Sequence, residues 1–322
     1  MKFWGTRGSL PTAFSHGQLE ETVVAALASA GPGDVGSPEA ARAYLAREGD
    51  AALPRRHGGE TTSVEFQNAS GGRVLVDFGS GAAVFGRTSL GTDGIVSEKG
   101  YTVLMSHMHW DHVQGFPFFP PAFIPGNKVR IGGGHGGETL KEALLGQFRP
   151  PYFPVPAEVL GADLEFFDVK PGEPFEIEGF RITPHLLHHT GGSYGYRFDF
   201  DGASVVFASD AEHKPENIIP EYPYVDWARG ADALIFDAQY ALADLVLHKE
   251  DWGHSSGMVA VDLAHLADVK QVLLTHHDPA ATDAKLIEMA ADTREYQQML
   301  HDGGATHIDI ETAYDGMIVE VG

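Results

Sequence analysis

The segment Ser106-His107-Met108-His109-Trp110-Asp111-His112 directly follows the apolar run Tyr101–Met105. An apolar run that ends in polar side chains is typical of a buried strand that delivers residues onto its exit loop. His107 and His109 are two positions apart, so an extended backbone directs both imidazoles to the same side. Imidazole and carboxylate groups suit zinc, iron, manganese or nickel, and a cluster as dense as this one favours two ions over one.

The composition limits the classes of function. The 322 residues include 45 acidic and 22 basic side chains, for a formal net charge of −23. Broad contact with a nucleic-acid backbone needs patches of Lys and Arg, so we expect no extended nucleic-acid binding. The chain has no cysteine, so any metal must be held by nitrogen and oxygen. No run approaches the roughly 20 apolar residues of a membrane span, and no apolar signal segment follows Met1, so we expect a cytoplasmic protein without a membrane partner.

The order of elements predicts the fold class. Residues 17–30 and 38–48 are rich in Ala, Leu and Glu and predict two helices within an insertion over residues 14–57. This insertion could cover a site or form a homodimer contact. Strands followed by helices then occur in each half of the chain, which predicts a single α/β domain over 1–322, a four-layer αββα sandwich. From Asp163 onward, Gly, Pro and Asp at each junction between strands favour antiparallel hairpins.

Three later stretches repeat the design of the opening segment, because each places polar residues at the end of a strand. The first contains His188 and His189, the second contains Asp210, and the third contains His276 and His277. Position along the chain does not by itself choose between the two histidines of the first pair or of the third.

These stretches resemble the metallo-β-lactamase fold superfamily over nearly the whole chain, through the order H-x-H-x-D-H, a later histidine, an aspartate after a strand and a late histidine. Gly253-His254-Ser255-Ser256 resembles the Gly-His-Ser-Thr motif of ribonuclease Z and related phosphodiesterases, and Leu274-Thr275-His276 resembles their last ligand motif. His57-Gly58-Gly59-Glu60-Thr61 and Asp77-Phe78-Gly79-Ser80-Gly81 are similar to segments of the cyclic-nucleotide phosphodiesterase-like branch.

The resemblance implies two divalent metal ions, such as zinc, manganese or iron. Its implied ligands are His107, His109 and His189 for the first ion, Asp111, His112 and His276 for the second, and Asp210 as a bridge between them. His189 is preferred to His188 because it stands directly before Thr190-Gly191-Gly192, where relatives place a ligand before Pro-Gly-Gly. His276 is preferred to His277 because it completes the Leu-Thr-His match.

The implied function is that of a dinuclear metal-dependent hydrolase that works through a metal-bridging hydroxide. A phosphodiesterase acting on cyclic nucleotides or a related small cyclic phosphate fits best, because two divalent ions against Asp111 and Asp210 leave a positive centre inside an acidic protein. A lactonase or other carboxylic-ester hydrolase is the alternative on the same site. An RNA 3′-processing endonuclease uses the same chemistry, but the sequence has no basic, glycine-rich arm to grip RNA.

The candidate catalytic residues are Asp111 and His254. His254 could protonate the leaving alkoxide or hold the phosphate, or it could instead cap the helix that follows it. Glu212 and His213 could form a relay with His254. His213 and His277 are also the candidate substrate-binding residues.

Two aspartates at strand ends and one aromatic segment could also contribute to the site. Asp77, at the end of a strand, could support the metal site or cap the next turn. Asp237 could anchor a ligand histidine through its second ring nitrogen, which metal-bound histidines usually require. The aromatic and proline-rich segment 116–123 could form an apolar wall beside the site or a packed surface loop.

Overall fold

The structure is a computed structural model that describes residues 1–52, 57–90, 100–151, 153–214 and 217–322, without the side chains of residues 48–52. Most of the predicted insertion over 14–57 is described, and residues 53–56 of that prediction lie outside the description. The insertion contains the two helices expected from its composition. The first begins after Ser15, whose side chain and that of Gln18 form reciprocal capping hydrogen bonds.

Among the described residues, the first sheet has six strands in their order along the chain. They are β1 (Lys2–Gly5), β2 (Ser63–Gln67), β3 (Arg73–Val76), β4 (Tyr101–Met105), β5 (Lys128–Gly133) and β6 (Asp163–Asp168). The pairs β1–β2 and β2–β3 are antiparallel, and β3 to β6 are parallel. The expectation of antiparallel hairpins from Asp163 onward is therefore wrong for β6, because an apolar strand bounded by turns pairs equally well with a distant parallel neighbour.

The second sheet, in the part of the chain that the structure describes, has seven strands in the reverse of their chain order. They are β7 (Phe175–Ile177), β8 (Phe180–Leu187), β9 (Ser193–Phe200), β10 (Ala203–Ala208), β11 (Ala233–Asp237), β12 (Gln271–Thr275) and β13 (Asp309–Thr312). Strands β7 to β10 form the expected antiparallel hairpins, and β10 to β13 are parallel.

The described helices are α1 (His16–Ser29), α2 (Pro38–Ala52), α3 (Ser80–Ser89), α4 (Trp110–Val113), α5 (Gly137–Leu145), α6 (Pro223–Ala228), α7 (Leu242–His248), α8 (Gly257–Ala267) and α9 (Asp283–Asp302). None of them is long and apolar enough to cross a membrane. The N-cap of α8 is Ser256, whose hydroxyl accepts a hydrogen bond from the Val259 amide. His254 therefore does not cap this helix, and its ring is available for another role.

The two sheets pack face to face through an apolar layer in which Phe66 of β2 and Phe198 of β9 stack with their ring centroids 3.9 Å apart. The outer face of the first sheet packs against α3 and α5, and that of the second sheet packs against α6 and α8. This arrangement buries both faces of both sheets and confirms the four-layer αββα sandwich.

The aromatic segment 116–123 belongs mainly to the core beneath the first sheet. Phe116 and Phe119 are fully buried and pack against Phe78, whereas Phe118 is exposed. The contacts of the buried rings lie within this core. They favour the interpretation of the segment as a packed loop over that of an apolar wall beside the site.

The four metal-candidate stretches all follow the carboxyl ends of strands. Strand β4 ends at Met105, β8 at Leu187, β10 at Ala208 and β12 at Thr275. Strands β8, β10 and β12 run in the same direction in the second sheet, so their exit loops meet at one edge of it. The sandwich thereby gathers at one edge the side chains that the sequence separates by up to 169 positions.

Candidate metal centre

The loop after β4 changes conformation within the histidine-rich segment. His109 is the extended N-cap residue of α4, and Asp111 and His112 lie on this single helical turn. The turn separates the segment into two groups, as the resemblance implies. The ligand atoms of His107 and His109 belong to one group of potential ligands, and those of Asp111 and His112 belong to a second.

The first group of potential ligands consists of His107, His109 and His189, whose ligand atoms all lie within 4.8 Å of one another. His189 Nε2 lies 3.0 Å from His109 Nδ1. The neighbouring His188 is exposed and is not a member of any group of potential ligands among the described residues. The structure therefore brings His189, and not His188, to the other two histidines.

The second group consists of Asp111, His112, Asp210 and His276, and all four side chains are buried. His276 Nε2 lies 3.2 Å from a carboxylate oxygen of Asp111 and 3.2 Å from one of Asp210. Asp210 also lies 3.6 Å from His107 Nε2 and 3.8 Å from His189 Nε2, in the first group. Asp210 is thus the one carboxylate of these seven side chains that contacts both groups.

Residues behind the two groups orient the imidazoles. His112 Nδ1 lies 2.7 Å from Asp77, and His189 Nδ1 lies 2.7 Å from the carbonyl oxygen of Gly253. His107 Nδ1 lies 3.0 Å from the Ser106 hydroxyl, which donates to Asp77. Each outer contact leaves Nε2 of the ring for the centre, which is the usual arrangement of metal-bound histidines. Asp77 therefore supports the site, which settles the choice left open by its position.

The electrostatics of the second group fit a cation. Burial acts to raise the pKa of Asp111, but His112 and His276 hold it well below its usual range. Asp210 has a lowered pKa for the same reasons. Burial acts to lower the pKa of His276, yet Asp210 and Asp111 raise it to about 9. Two buried carboxylates thus attract positive charge, which a divalent ion supplies more effectively than protonated histidines do.

The hydrogen-bond inventory leads to the same conclusion. His107 Nε2 is buried and has no hydrogen-bond partner, although it lies among the potential ligands. A buried ring nitrogen without a partner carries a desolvation cost that a metal ion would remove. The set of nitrogen and oxygen donors suits zinc, manganese or iron, so the residues fit the two divalent ions that the sequence implies.

His254 lies beside the potential ligands. Its ring centroid is 5.2 Å from that of His189 and 5.0 Å from that of His276. Its Nδ1 lies 2.7 Å from Asp237, which is fully buried at the end of β11. The expectation that Asp237 anchors one of the seven predicted ligands is therefore wrong in its partner, because the hydrogen bonds described for this carboxylate are with His254 and the Gln239 amide. An aspartate at a strand end does not reveal which of several nearby histidines it will meet.

The relay of Glu212 and His213 with His254 is not formed. The carboxylate of Glu212 accepts hydrogen bonds from the amides of Asp251 and Gly253, so it holds the loop that leads into His254. His213 is buried, with its ring stacked on Phe236. The relay prediction failed because Glu212 satisfies backbone amides and the next side chain points into the core.

The two candidate substrate-binding histidines lie outside the two groups of potential ligands. His213 Nδ1 lies 3.1 Å from the Tyr222 hydroxyl, and His277 Nε2 donates to the carbonyl oxygen of Ala313 at 2.8 Å. Both rings are almost completely buried. Substrate binding by these residues stays a prediction, and the contacts that they make serve the packing of the fold.

Sequence reasoning missed two residues that position the centre. Ser106 links His107 to Asp77, and the backbone amide of Ser9 donates to a carboxylate oxygen of Asp111 at 2.6 Å. A serine directly between a buried strand and H-x-H is a signal that could have identified Ser106. The contact of Ser9 carries no such signal, because it joins residues 102 positions apart.

Burial of His213 predicts a pH dependence of stability. Burial lowers the pKa of His213 from 6.5 to about 3 in the folded chain. Between these values the unfolded chain binds a proton that the folded chain excludes. The contribution of His213 to the free energy of unfolding is therefore present above pH 6.5 and is lost as the pH falls toward 3. Between pH 6.5 and pH 4 the free energy of unfolding should fall by about 3 kcal/mol for this reason.

Denaturant unfolding of wild type and His213→Gln at several pH values tests this prediction. The free energy of unfolding of the variant should fall less steeply between pH 6.5 and pH 4. His16→Gln, at an exposed position of α1, should retain the slope of the wild type. Equal slopes for all three proteins would contradict the prediction.

Comparison with known proteins agrees with this geometry. The fold and the two groups of side chains define an αββα protein with a candidate dinuclear metal centre. Residues 73–277 match the family model described as "Beta-lactamase superfamily domain", and the chain belongs to this superfamily. The family and its ribonuclease Z relatives indicate a metal-dependent hydrolase of the metallo-β-lactamase fold.

Three similar proteins illustrate the range of relatives. An uncharacterised protein of Mycobacterium leprae is 30% identical over 230 residues, which cover 67% of this chain and 71% of that protein. A ribonuclease Z of Exiguobacterium sibiricum is 26% identical over 243 residues, which cover 62% and 78%. The crystal structure of a diphosphatase of the PhnP family superposes with a TM-score of 0.57 at 20% identity, covering 100% of this chain and 97% of that one. The last likeness shows the shared fold.

Proposed function

We propose that this protein is a dinuclear metal-dependent phosphodiesterase that acts on cyclic nucleotides or a related small cyclic phosphate. The arrangement of seven potential ligands in two groups, with Asp210 in contact with both, supports a site for two ions. When bound, two divalent ions supply Lewis acidity and a water molecule activated near neutral pH. The similarity to a ribonuclease Z supports a phosphodiester as the class of substrate.

The pairing of His254 with Asp237 is the observation that carries the proposal. Asp237 accepts a hydrogen bond from Nδ1 of His254, which fixes the ring and leaves its other nitrogen to face away from Asp237. A ring nitrogen of His254 lies within 4.8 Å of potential ligand atoms of His189 and Asp210. The leaving alkoxide of a phosphodiester needs a proton, and His254 would deliver it at this position.

The charge of the chain favours a small substrate. A formal net charge of −23 opposes a long anionic polymer, because binding to its backbone depends on many Lys and Arg contacts. A small phosphodiester would instead be attracted by the local positive charge of the metal centre. We therefore place cyclic nucleotides before RNA as substrates.

Hydrolysis of bis-p-nitrophenyl phosphate by protein reloaded with manganese or zinc tests the chemistry. We expect turnover by the wild type and its loss in His109→Ala, which removes a potential ligand of the first group. His16→Ala changes an exposed histidine of α1 and should retain activity. A panel of cyclic nucleotides, transfer-RNA precursors and lactones, with metal content measured on the same sample, then identifies the substrate class. Activity on lactones alone, or on RNA alone, would overturn the proposal.

The proton delivery by His254 predicts a dependence on the leaving group. His254→Gln and Asp237→Asn should lower kcat on alkyl-leaving phosphodiesters by about 10²- to 10⁴-fold, the usual contribution of general acid catalysis. The loss should be much smaller for bis-p-nitrophenyl phosphate, because p-nitrophenolate leaves without a proton. Steady-state kinetics on both substrates, with metal content as the control, measure this difference. Equal losses on both substrates would assign His254 a different role.

A further inference from the structure

Two of the four tryptophans in the chain are exposed, and both stand within two positions of His109 or His254. The side chain of Trp110 is 59% exposed, and that of Trp252 is 55% exposed. Scattered exposed apolar residues are ordinary in a soluble protein, so exposure alone does not define a site. The surroundings of Trp252, however, are organised.

Trp252 packs in a cluster with Tyr240 and Lys249, which we call the Trp252 platform. The Trp252 and Tyr240 rings are 6.4 Å apart between centroids and nearly perpendicular. Lys249 Nζ lies 3.6 Å from the Trp252 centroid and 5.2 Å from the Tyr240 centroid. Cation–π contacts of this kind hold a ring in place. More than half of the Trp252 side chain nevertheless stays open to solvent, so a fixed aromatic surface is available.

The platform is continuous with the metal centre. The Tyr240 ring lies 5.9 Å from that of His254, which in turn lies 5.2 Å from that of His189. The residue after Trp252 is Gly253, whose carbonyl oxygen contacts His189 Nδ1. A φ of +82° at Gly253 turns the chain there, and a Cβ at this position would stand 2.2 Å from His189 Nδ1. Trp252 is therefore the chain neighbour of a residue that contacts a potential metal ligand.

The charge of Lys249 indicates the kind of ligand. Among the residues that the structure describes, Lys249 makes contacts with the two rings, and no ion pair is found for it. The nearby Lys214, by contrast, is paired with Glu250 and Asp251. A cation without a carboxylate partner, beside an exposed ring and a cationic metal centre, suits a ligand that is both aromatic and anionic.

We propose that Trp252 is a specificity-determining residue whose ring stacks on the base of a nucleotide substrate, with Tyr240 and Lys249 fixing its position. This inference rests on the proposed function, because it places the phosphate of the same molecule at the metal centre. Every base has a π-face, so stacking tolerates different bases and selects nucleotides against phosphodiesters that lack a base.

Two substrates separate stacking from chemistry: a nucleoside 3′,5′-cyclic phosphate, and the same sugar cyclic phosphate with hydrogen in place of the base. In Trp252→Ala, KM for the nucleotide should rise by at least about fivefold, as for other base–aromatic contacts. KM for the substrate without a base, and kcat for both, should stay the same. Trp252→Phe should be intermediate, and Leu247→Ala, at an exposed position of α7, should match the wild type. Equal changes for both substrates, or no change, would overturn the inference.

A second measurement does not depend on turnover. Titration of the zinc-loaded wild type with a nucleoside monophosphate should quench tryptophan fluorescence, whereas inorganic phosphate should not. Trp252→Phe should lack this response, although Trp110 remains. If the wild type cleaves neither cyclic phosphate but shows the quench, the proposed function fails and the stacking site stands. If wild type and Trp252→Phe respond equally to the nucleotide, the stacking site is refuted whatever the activity.

Discussion

Asp210→Asn is expected to reduce metal binding from two ions per chain to one or fewer and to lower kcat/KM by about 10³-fold or more, since Lewis-acid stabilisation is worth several kcal/mol. Asp210 is the carboxylate that contacts both groups of potential ligands, with its Oδ2 3.2 Å from His276 Nε2 and 3.6 Å from His107 Nε2. Asparagine removes its negative charge and one acceptor oxygen from a fully buried position. Both ions would then lose a shared ligand.

The substitution is well suited to isolate this effect. Asp210 has a φ of +57°, and asparagine is one of the few residues that adopt this left-handed conformation readily. The side-chain volume is also nearly unchanged, so the backbone should stay in place. Metal content by mass spectrometry and hydrolysis of bis-p-nitrophenyl phosphate provide the measurements. Asp226→Asn, at an exposed aspartate, is the control. Retention of two ions and full activity in Asp210→Asn would remove Asp210 from the centre.

Asp77→Ala is expected to destabilise the metal-free protein by about 3–5 kcal/mol, because it removes one partner of a buried, charged network. The Asp77 carboxylate accepts hydrogen bonds from the amide and the hydroxyl of Ser106, each at 2.6 Å, and pairs with His112 Nδ1. All of these groups are buried. Metal affinity should also fall by about 10- to 100-fold, since His112 and His107 lose the contacts that orient them.

The control for Asp77→Ala must share its backbone strain. Asp77 has a φ of +66°, and the exposed Asp201 has a φ of +51° and accepts a hydrogen bond from the Ala69 amide. Asp201→Ala therefore loses a left-handed aspartate and one hydrogen bond, but no buried network. Urea unfolding in the presence of a chelator excludes stabilisation by bound metal. If the two variants lose equal stability, the network around Asp77 contributes nothing beyond backbone strain.

The fold class and the side chains available to the metal centre could be predicted from the residues alone. Ligand chemistry depends on residue type and local spacing, both of which are visible in H-x-H-x-D-H. The strand before each polar stretch is equally visible, because a buried strand is an apolar run of limited length. The choice of His189 and His276 came from the resemblance of their neighbours, Thr190-Gly191-Gly192 and Leu274-Thr275, to the family's ligand motifs. The structure brings both residues into the two groups of potential ligands.

The groups that hydrogen-bond to those side chains from behind could not be predicted in this way. Asp77 and His112 are 35 positions apart, and Asp237 and His254 are 17 apart, so their pairing depends on how separate exit loops pack. The same dependence on packing turned His213 into the core and paired β6 with β5 instead of a hairpin partner. Local sequence patterns specify the chemistry of a side chain. Its hydrogen-bond partner depends on how the exit loops pack together at the edge of the sandwich, because each polar group buried there needs a partner.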